Sequence, residues 1–485
     1  MNKTHSQRLL ALWVILFVFA LVPAPSAAEE AEVVEELNPL LIMPADDQFS
    51  APYHPYEGTA AFFNDASLTL SSAYYGRARS ADNKNRSVTR SDQNEIHVNA
   101  FGQRVDFVSG YAWGWLGMDV SGQTTLGKGR GWSEVLLHEE PQNIDRGSIS
   151  LGQAALKTRF GDEQLGFEAR GGYTPIRVGS LGTSGGLFSH AYRGFEGKFL
   201  LKGFQLGYGW ADQFRNEWDN TFRDMTNSWG QGRYNDPAKR VSYIHSLGLR
   251  YEFGEDKAGF ADFGVGEAHN FRRNMQGVVS VPFDLGEIGK LTLTAYGIAA
   301  KFRDKGLYNA GKPIRTEYHI SGSATLKRGD WTYGVGMGHT KSLDMEEMSF
   351  RLASWGNCDN RNFIQTAGQL DDFVWDGQNV AMARIRYDIG EKIRLPGLSV
   401  GVVGFWSWNG GNSRFGGKCR SWEIDYSVEY AVQKGSLKGL AVGVYAGHLR
   451  YSGNNFHGKQ NRDDVKLIVT YSKTFEEIFK RFKNS

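Results

Sequence analysis

The stretch VKLIVTYSKTF, residues 465–475, decides the reading of this chain. Val465, Leu467, Val469, Tyr471 and Phe475 fall on one side of a period-two pattern, and Lys466, Thr470, Ser472 and Thr474 fall on the other. Side chains that alternate in this way occupy the two faces of a β-strand. An aromatic-ended strand near the end of an exported chain is the finish expected of a membrane β-barrel, which loses its free edges only when its last strand pairs with its first. The segment therefore points to a membrane pore rather than to a soluble enzyme.

Working outward, the chain from about Asp65 to Phe475 reads as strands joined by alternately short and long connections. The spans are 65–77, 93–107, 111–124, 148–159, 164–174, 191–200, 204–213, 241–253, 259–270, 276–285, 290–303, 314–327, 331–341, 378–389, 397–408, 420–433, 439–451 and 463–475, about eighteen in all. This predicts an all-β fold, a transmembrane antiparallel β-barrel with an even strand number inside the bacterial outer-membrane range. Short turns include Gly161–Glu163, Gly254–Lys257, Gly286–Gly289, Arg328–Asp330 and Gly435–Lys438. Long polar loops include 125–147, 214–240, 342–377 and 409–419. With both chain ends in the periplasm, every long loop lands outside. In AMARIRYDI, residues 381–389, Ala383, Ile385, Tyr387 and Ile389 oppose Arg384, Arg386 and Asp388. An Arg facing mid-membrane lipid costs roughly 2–4 kcal/mol, so the charged side is assigned to the lumen.

Residues 1–28 read as a secretory signal peptide: Lys3 and Arg8, the apolar run Leu9 to Val22, then small residues up to Ala28. Residues 29–60 are acidic and contain Pro39, Pro44, Pro52 and Pro55, which predicts a periplasmic N-terminal extension. Residues 61–475 form the barrel, and 476–485, EEIFKRFKNS, a short amphipathic tail. Without Lys3 and Arg8, 53 basic residues balance 53 acidic ones, which argues against a nucleic-acid partner. The 60 glycines and the 30 Phe, 21 Tyr and 13 Trp, against 12 Pro, suit many strands, tight turns and interfacial aromatics. The two cysteines, Cys358 and Cys419, have no metal-ligand spacing; they lie on loops flanking two adjacent strands and form a candidate disulfide. No G-x-S-x-G, H-E-x-x-H or P-loop pattern is present. The expectation is a channel without cofactor or metal and without enzymatic activity. A barrel lipase and an adhesive barrel stand as the alternative classes.

Eight bases sit on the polar parity of their strands: Arg104, Lys157, Arg159, Arg170, Arg250, Arg315, Arg384 and Arg386. A column of such groups offers a passing carboxylate successive moderate sites, which suits conduction. The alternative is pore lining, with the bases paired to acids such as Asp106, Asp388 and Glu429. PIRVGSLGTSGGLFSH, residues 175–190, is Gly- and Ser-rich and is the candidate constriction loop, with Tyr173, Ser180, Ser184 and His190 as its polar residues.

Several segments together resemble the OprD family of substrate-selective outer-membrane channels. FFNDASLTLSSAYYGR resembles the first strand, LFSHAYRGFEG the inward loop and its exit, and ARIRYDI with LPGLSVGVVGFWSWNG an R-Y-D strand, a P-G-L turn and the next strand. EIDYSVEYAVQKGSLKGLAV and DDVKLIVTYS resemble the last three strands. The resemblance implies an eighteen-stranded barrel in the bacterial outer membrane with an inward third external loop. It also implies passive diffusion of small carboxylate-bearing solutes past a basic ladder to which Arg159 and Arg386 belong. Its surroundings would be outer-membrane lipid and lipopolysaccharide, and its insertion would depend on the barrel assembly machinery. Where members often carry R-x-R this chain has Gly443 and Tyr445, Ser72 stands for a frequent Arg, and Ser189 for the loop proline. The ladder is thinner here, which leaves a neutral oligosaccharide or a peptide open as the solute.

Overall fold

The computed structural model describes residues 58–81, 96–130, 148–162, 164–182, 187–188, 190–216, 219–226, 240–254, 257–302, 316–341, 363–410, 419–452 and 461–475. Residues 1–57, which hold the expected signal peptide and nearly all of the expected extension, and 476–485, the expected tail, lie outside them. After a single helical turn α1 (Ala61–Asn64), the strands run β1 (Ser67–Ala81), β2 (Ile96–Val108), β3 (Leu116–Arg130), β4 (Ser148–Gly161), β5 (Leu165–Thr174), β6 (Ala191–Leu201), β7 (Phe204–Arg215), β8 (Arg223–Thr226), β9 (Arg240–Val241) and β10 (Ile244–Phe253). They continue as β11 (Gly259–Ala268), β12 (Arg272–Asp284), β13 (Lys290–Phe302), β14 (Thr316–Arg328), β15 (Trp331–Lys341), β16 (Asn379–Tyr387), β17 (Leu398–Gly410), β18 (Cys419–Ala431), β19 (Leu440–Ser452) and β20 (Arg462–Phe475).

Each strand pairs antiparallel with the next around the wall, where β7 pairs with β10; the short β8 pairs with the end of β7 and with the short β9. The ring closes between β1 and β20, in a register running from Leu68 opposite Phe475 to Ala81 opposite Arg462. The wall is therefore a closed barrel of eighteen antiparallel strands, β1–β7 and β10–β20, one for each span expected from the alternation. β8, β9 and α1 were not anticipated. The turns follow local chemistry: between β4 and β5, Gly161 adopts φ 76° and Asp162 Oδ1 accepts the N–H groups of Gln164 (2.8 Å) and Leu165 (3.0 Å).

The polarity of this wall is inverted relative to a water-soluble protein. On β4, Leu156 is 63% exposed while its neighbour Lys157 is 2% exposed. Leu165 and Phe167, Leu247 and Leu249, and Val335 and Met337 show the same outward apolar parity. Arg77, Arg104, Arg170, Glu423 and Asp464 are buried inside. Such a surface is stable against hydrocarbon, where apolar exposure costs nothing and every backbone group is satisfied within the closed ladder. At the short-turn rim the outward side chains stack: Trp115 on Phe160 (6.0 Å), Phe204 on Tyr251 (4.2 Å) and Trp331 on Tyr387 (4.2 Å). Lys473 lies on this outer parity with its Nζ 5.3 Å from the Phe475 ring, the placement of a snorkelling rim lysine.

Candidate functional site

The β5–β6 connection folds into the barrel. Ile176, Val178 and Leu181 are buried, the first and last in a cluster with Ala211 on β7, Ile244 on β10 and Ala268 at the end of β11. The wall beneath them is bare. A Cβ on Gly209 would meet Ile176 at 2.8 Å, one on Gly207 would meet Val178 at 3.0 Å, and on Gly248 and Gly264 it would collide with the Gly179 backbone. Gly179 itself takes φ 58°. The loop is pinned there by the Ser180 N–H donating to Ser246 Oγ (2.9 Å) and by Gln276 Nε2 donating to Gly179 O (3.0 Å). Its far end, Leu187 and Phe188, is buried in a second cluster with Ala73 and Tyr75 of β1, Ala100 of β2, Tyr445 of β19 and Ile468 of β20. A Cβ on Gly102 would sit 2.7 Å from Leu187 and 2.8 Å from Phe188. β2 and β10 are six strands apart around the ring of eighteen, so the two anchors hold the loop across the lumen.

A second inward segment, residues 363–378, lies almost wholly within the connection 342–377 that was expected as a long polar external loop. Phe363 and Ile364 pack on the cluster of Val278, Tyr296 and Ile298 on β12–β13. Gln365 N–H donates to Ser321 Oγ of β14 (3.1 Å). Leu370 and Phe373 then join Val380, Met382, Phe405 and Leu449. Two wall carboxylates of β18 receive the segment's backbone: Glu423 accepts the Leu370 N–H (2.7 Å) and Asp425 the Gln369 N–H (3.0 Å). The β7–β10 connection contributes a third buried knot, where Asn216 bonds Asp219 (3.1 Å) and Arg215 donates to the Gly152 carbonyl of β4 (3.5 Å). Burial pushes the Asp219 carboxyl above its usual range.

The expected bases are inward, and most are held by carboxylates. Arg104 pairs with Asp106 (2.7 Å), Lys157 with Asp119 (2.7 Å) and Arg170 with Glu196 (2.7 Å). Arg250 reaches Glu252 (2.8 Å) and Asp262 (3.5 Å), and Arg386 reaches Asp388 (3.3 Å) and Glu429 (3.8 Å). Arg159 stacks 4.1 Å over the Tyr111 ring, in a turn where burial also raises the Tyr111 phenol above its ordinary range. Arg384 donates to Thr325 Oγ1 (2.6 Å). The bases fall into separate groups rather than one column: Lys157 stands directly opposite Arg170 across β4–β5, Arg250 is on β10, and Arg384 and Arg386 are on β16.

Of the loop residues, Ser180 and His190 are buried inside. Tyr173 shares the outward parity of Leu165 and Phe167, with its ring 4.6 Å from Phe222, so it sits on the outer face rather than in the constriction. Arg315, Ser184 and Cys358 lie outside the described residues, which leaves the disulfide undescribed; Cys419 is a buried residue at the start of β18. Unanticipated partners line the same wall. Asp464 of β20 binds Arg77 and Arg79 of β1 across the closing seam, and Arg272 pairs with Glu317. The polar parity gave their side but not their pairing. A run of inward glycines on β7, β10 and β11 was the readable trace of the loop's seat.

A closed eighteen-stranded barrel with an apolar outer wall, a charged lumen and inward-folded connections defines an outer-membrane diffusion channel. The sequence profile described as outer membrane porin, OprD family, matches residues 60–475, and the chain belongs to this family. It is 25% identical over 465 residues to a protein of Escherichia coli (strain K12) named Chitoporin, covering 86% of this chain and 93% of that one. Among solved structures it is similar to Acinetobacter baumannii OccAB1 (TM-score 0.72, 15% identity, 87% of this chain and 100% of that one). It is also similar to Pseudomonas aeruginosa OccK9 (TM-score 0.69, 18% identity, 86% and 100%). Pseudomonas aeruginosa OpdK, solved with vanillate, follows at a TM-score of 0.66 and 17% identity, with 85% and 100% covered. The protein is an outer-membrane porin and not an enzyme.

Proposed function

We propose that this porin passes small, uncharged, hydroxyl-rich solutes of the oligosaccharide class in preference to simple carboxylates. The observation that carries this reading is the pairing of the basic ladder. Arg104, Lys157, Arg170, Arg250 and Arg386 each have a carboxylate at ion-pair distance. The buried charged residues number seven Lys or Arg against nine Asp or Glu among the described residues. A neutralised wall exerts little net pull on an anion, while the half-buried inward groups Arg250, Ser323, Thr325, Arg384 and Arg386 still offer donors and acceptors to hydroxyls. The likeness to a protein named Chitoporin supports the same solute class. Carboxylate passage is the second reading, favoured by the clustering of Lys157, Arg159 and Arg170 on adjacent strands.

Liposome swelling with N-acetylglucosamine oligomers, neutral sugars, amino acids and aromatic carboxylates separates the two. The first reading expects faster swelling with the oligosaccharides and a reversal potential near zero in a KCl gradient. A strongly anion-selective potential with faster carboxylate uptake would replace it with the second.

A further inference from the structure

We propose that the outward-facing rim at the long-loop end of β12–β15 is a docking surface for the phosphorylated head group of an outer-leaflet glycolipid. On the outward parity at that end of the barrel, Lys128, Arg273, Lys301, Lys341 and Arg420 are exposed. Among the described residues, no Asp or Glu is exposed at the same level and parity. Asp212, Glu267 and Asp463 are half-buried there and already bound to Arg193, Arg273 and Arg450. The opposite rim carries stacked aromatics together with exposed Lys473 and Arg328 on the same parity.

The strip over β12–β15 is the best-formed part. Arg273 and Lys301 stand directly opposite each other in the register, and like charges so placed destabilise a strand pair unless something neutralises them. Lys301 has no ion-pair partner among the described residues, and Arg273, bonded to Glu267 at 2.7 Å, keeps 63% of its side chain exposed. Tyr318 lies opposite Lys341 in the β14–β15 pairing, with its ring 6.0 Å from His339, and Lys341 reaches Asp376 (2.9 Å) while 54% exposed. Met275 and Ile320, one outward step toward mid-membrane, are 59% and 53% exposed. The cations therefore sit at head-group depth above acyl-facing side chains, their stems along the apolar wall and their heads at the interface. A phosphomonoester attached to acyl chains satisfies both halves: its oxygens accept charge-assisted bonds from guanidinium and ammonium groups, and its chains cover the residues below.

The test uses the full chain in neutral detergent and measures binding of diphosphorylated lipid A, its dephosphorylated form and inorganic phosphate. Lipid A should bind, dephosphorylation should weaken it, and the triple variant R273Q/K301Q/K341Q should bind at least about tenfold more weakly, since each basic group near an anionic surface contributes appreciably. K473Q, at the opposite rim, should bind as the parent does. Heat-modifiable electrophoretic mobility and unchanged conductance establish that the triple variant is folded. Equal lipid A binding by the folded triple variant overturns the proposal. So does equal binding of the dephosphorylated lipid, or competition by inorganic phosphate at the same concentration as lipid A, which would mark a general anion site.

Discussion

Removing the far anchor of the inward loop should convert a fixed constriction into a fluctuating one. Phe188 is fully buried and Leu187 3% exposed, in a pocket made by strands that meet at the barrel's closing seam. Burial of one such side chain contributes about 1.5–3 kcal/mol, and we take ~2 kcal/mol for each because the pocket borders a wet lumen. Phe188→Ala should then raise the detached fraction of the loop end about thirtyfold, and Leu187→Ala/Phe188→Ala several hundredfold. From a detached population of about 0.1% in the parent, the single variant reaches a few per cent and the double variant a large minority. In planar bilayers the single variant should show brief upward current steps, and the double variant a higher mean conductance with strong noise. Gly102→Val attacks the same contact from the wall, since its Cβ would lie 2.7 Å from Leu187, and should reproduce the noise without touching the loop. Quiet traces of unchanged amplitude from both L187A/F188A and G102V, in protein that keeps its heat-modifiable mobility, would refute the reasoning.

Two further outcomes follow from the buried carboxylates. Glu196→Gln removes the negative charge and one of the two carboxylate oxygens that accept from Arg170 and from the Arg177 N–H of the inward loop. Breaking a buried pair in this way costs about 3–5 kcal/mol, so thermal unfolding in detergent should fall measurably and the reversal potential should move toward anion preference. Glu423→Gln/Asp425→Asn weakens the grip on Leu370 and Gln369, so limited proteolysis should cut within 363–378 in the variant and spare the parent.

The strands were legible because the membrane imposes one rule on every one of them. A residue that faces hydrocarbon must be apolar, so Ile385 and Arg384 declare opposite sides without any knowledge of their neighbours. The rule acts within a strand, and it is silent on what meets across the lumen. Arg170 and Glu196 stand on paired strands 26 residues apart, and Arg77 and Asp464 are 387 apart across the seam. Their pairing depends on register and closure, which no local period encodes. The basic residues thus carried their orientation in the sequence but not their neutralisation, and five of the eight apparent cations became, in the fold, members of bound pairs. The inward course of segment 363–378 went unread for the same reason: it has no repeat, and its seats lie on strands from β12 to β20.

The closing strand contains the one residue whose parity alone argues against it. Ile468 falls on the inward side of VKLIVTYSKTF, between Lys466 and Thr470, where an isoleucine facing water would be a poor choice. It is 2% exposed, within the cluster that receives Leu187 and Phe188. An apolar side chain on the lumen parity of a wet barrel needs a cover, and in this chain the cover is the inward loop. Ala73, Tyr75 and Tyr445 on the flanking strands mark the same footprint. An apolar break in the polar parity of neighbouring strands is therefore the sequence trace of a loop's landing site, as the inward glycines of β7, β10 and β11 trace its other seat. By that logic Ile468→Ser should loosen the same anchor as Phe188→Ala and raise current noise in the same direction. A quiet, folded Ile468→Ser channel would show that the loop's end is held by β1, β2 and β19 without Ile468.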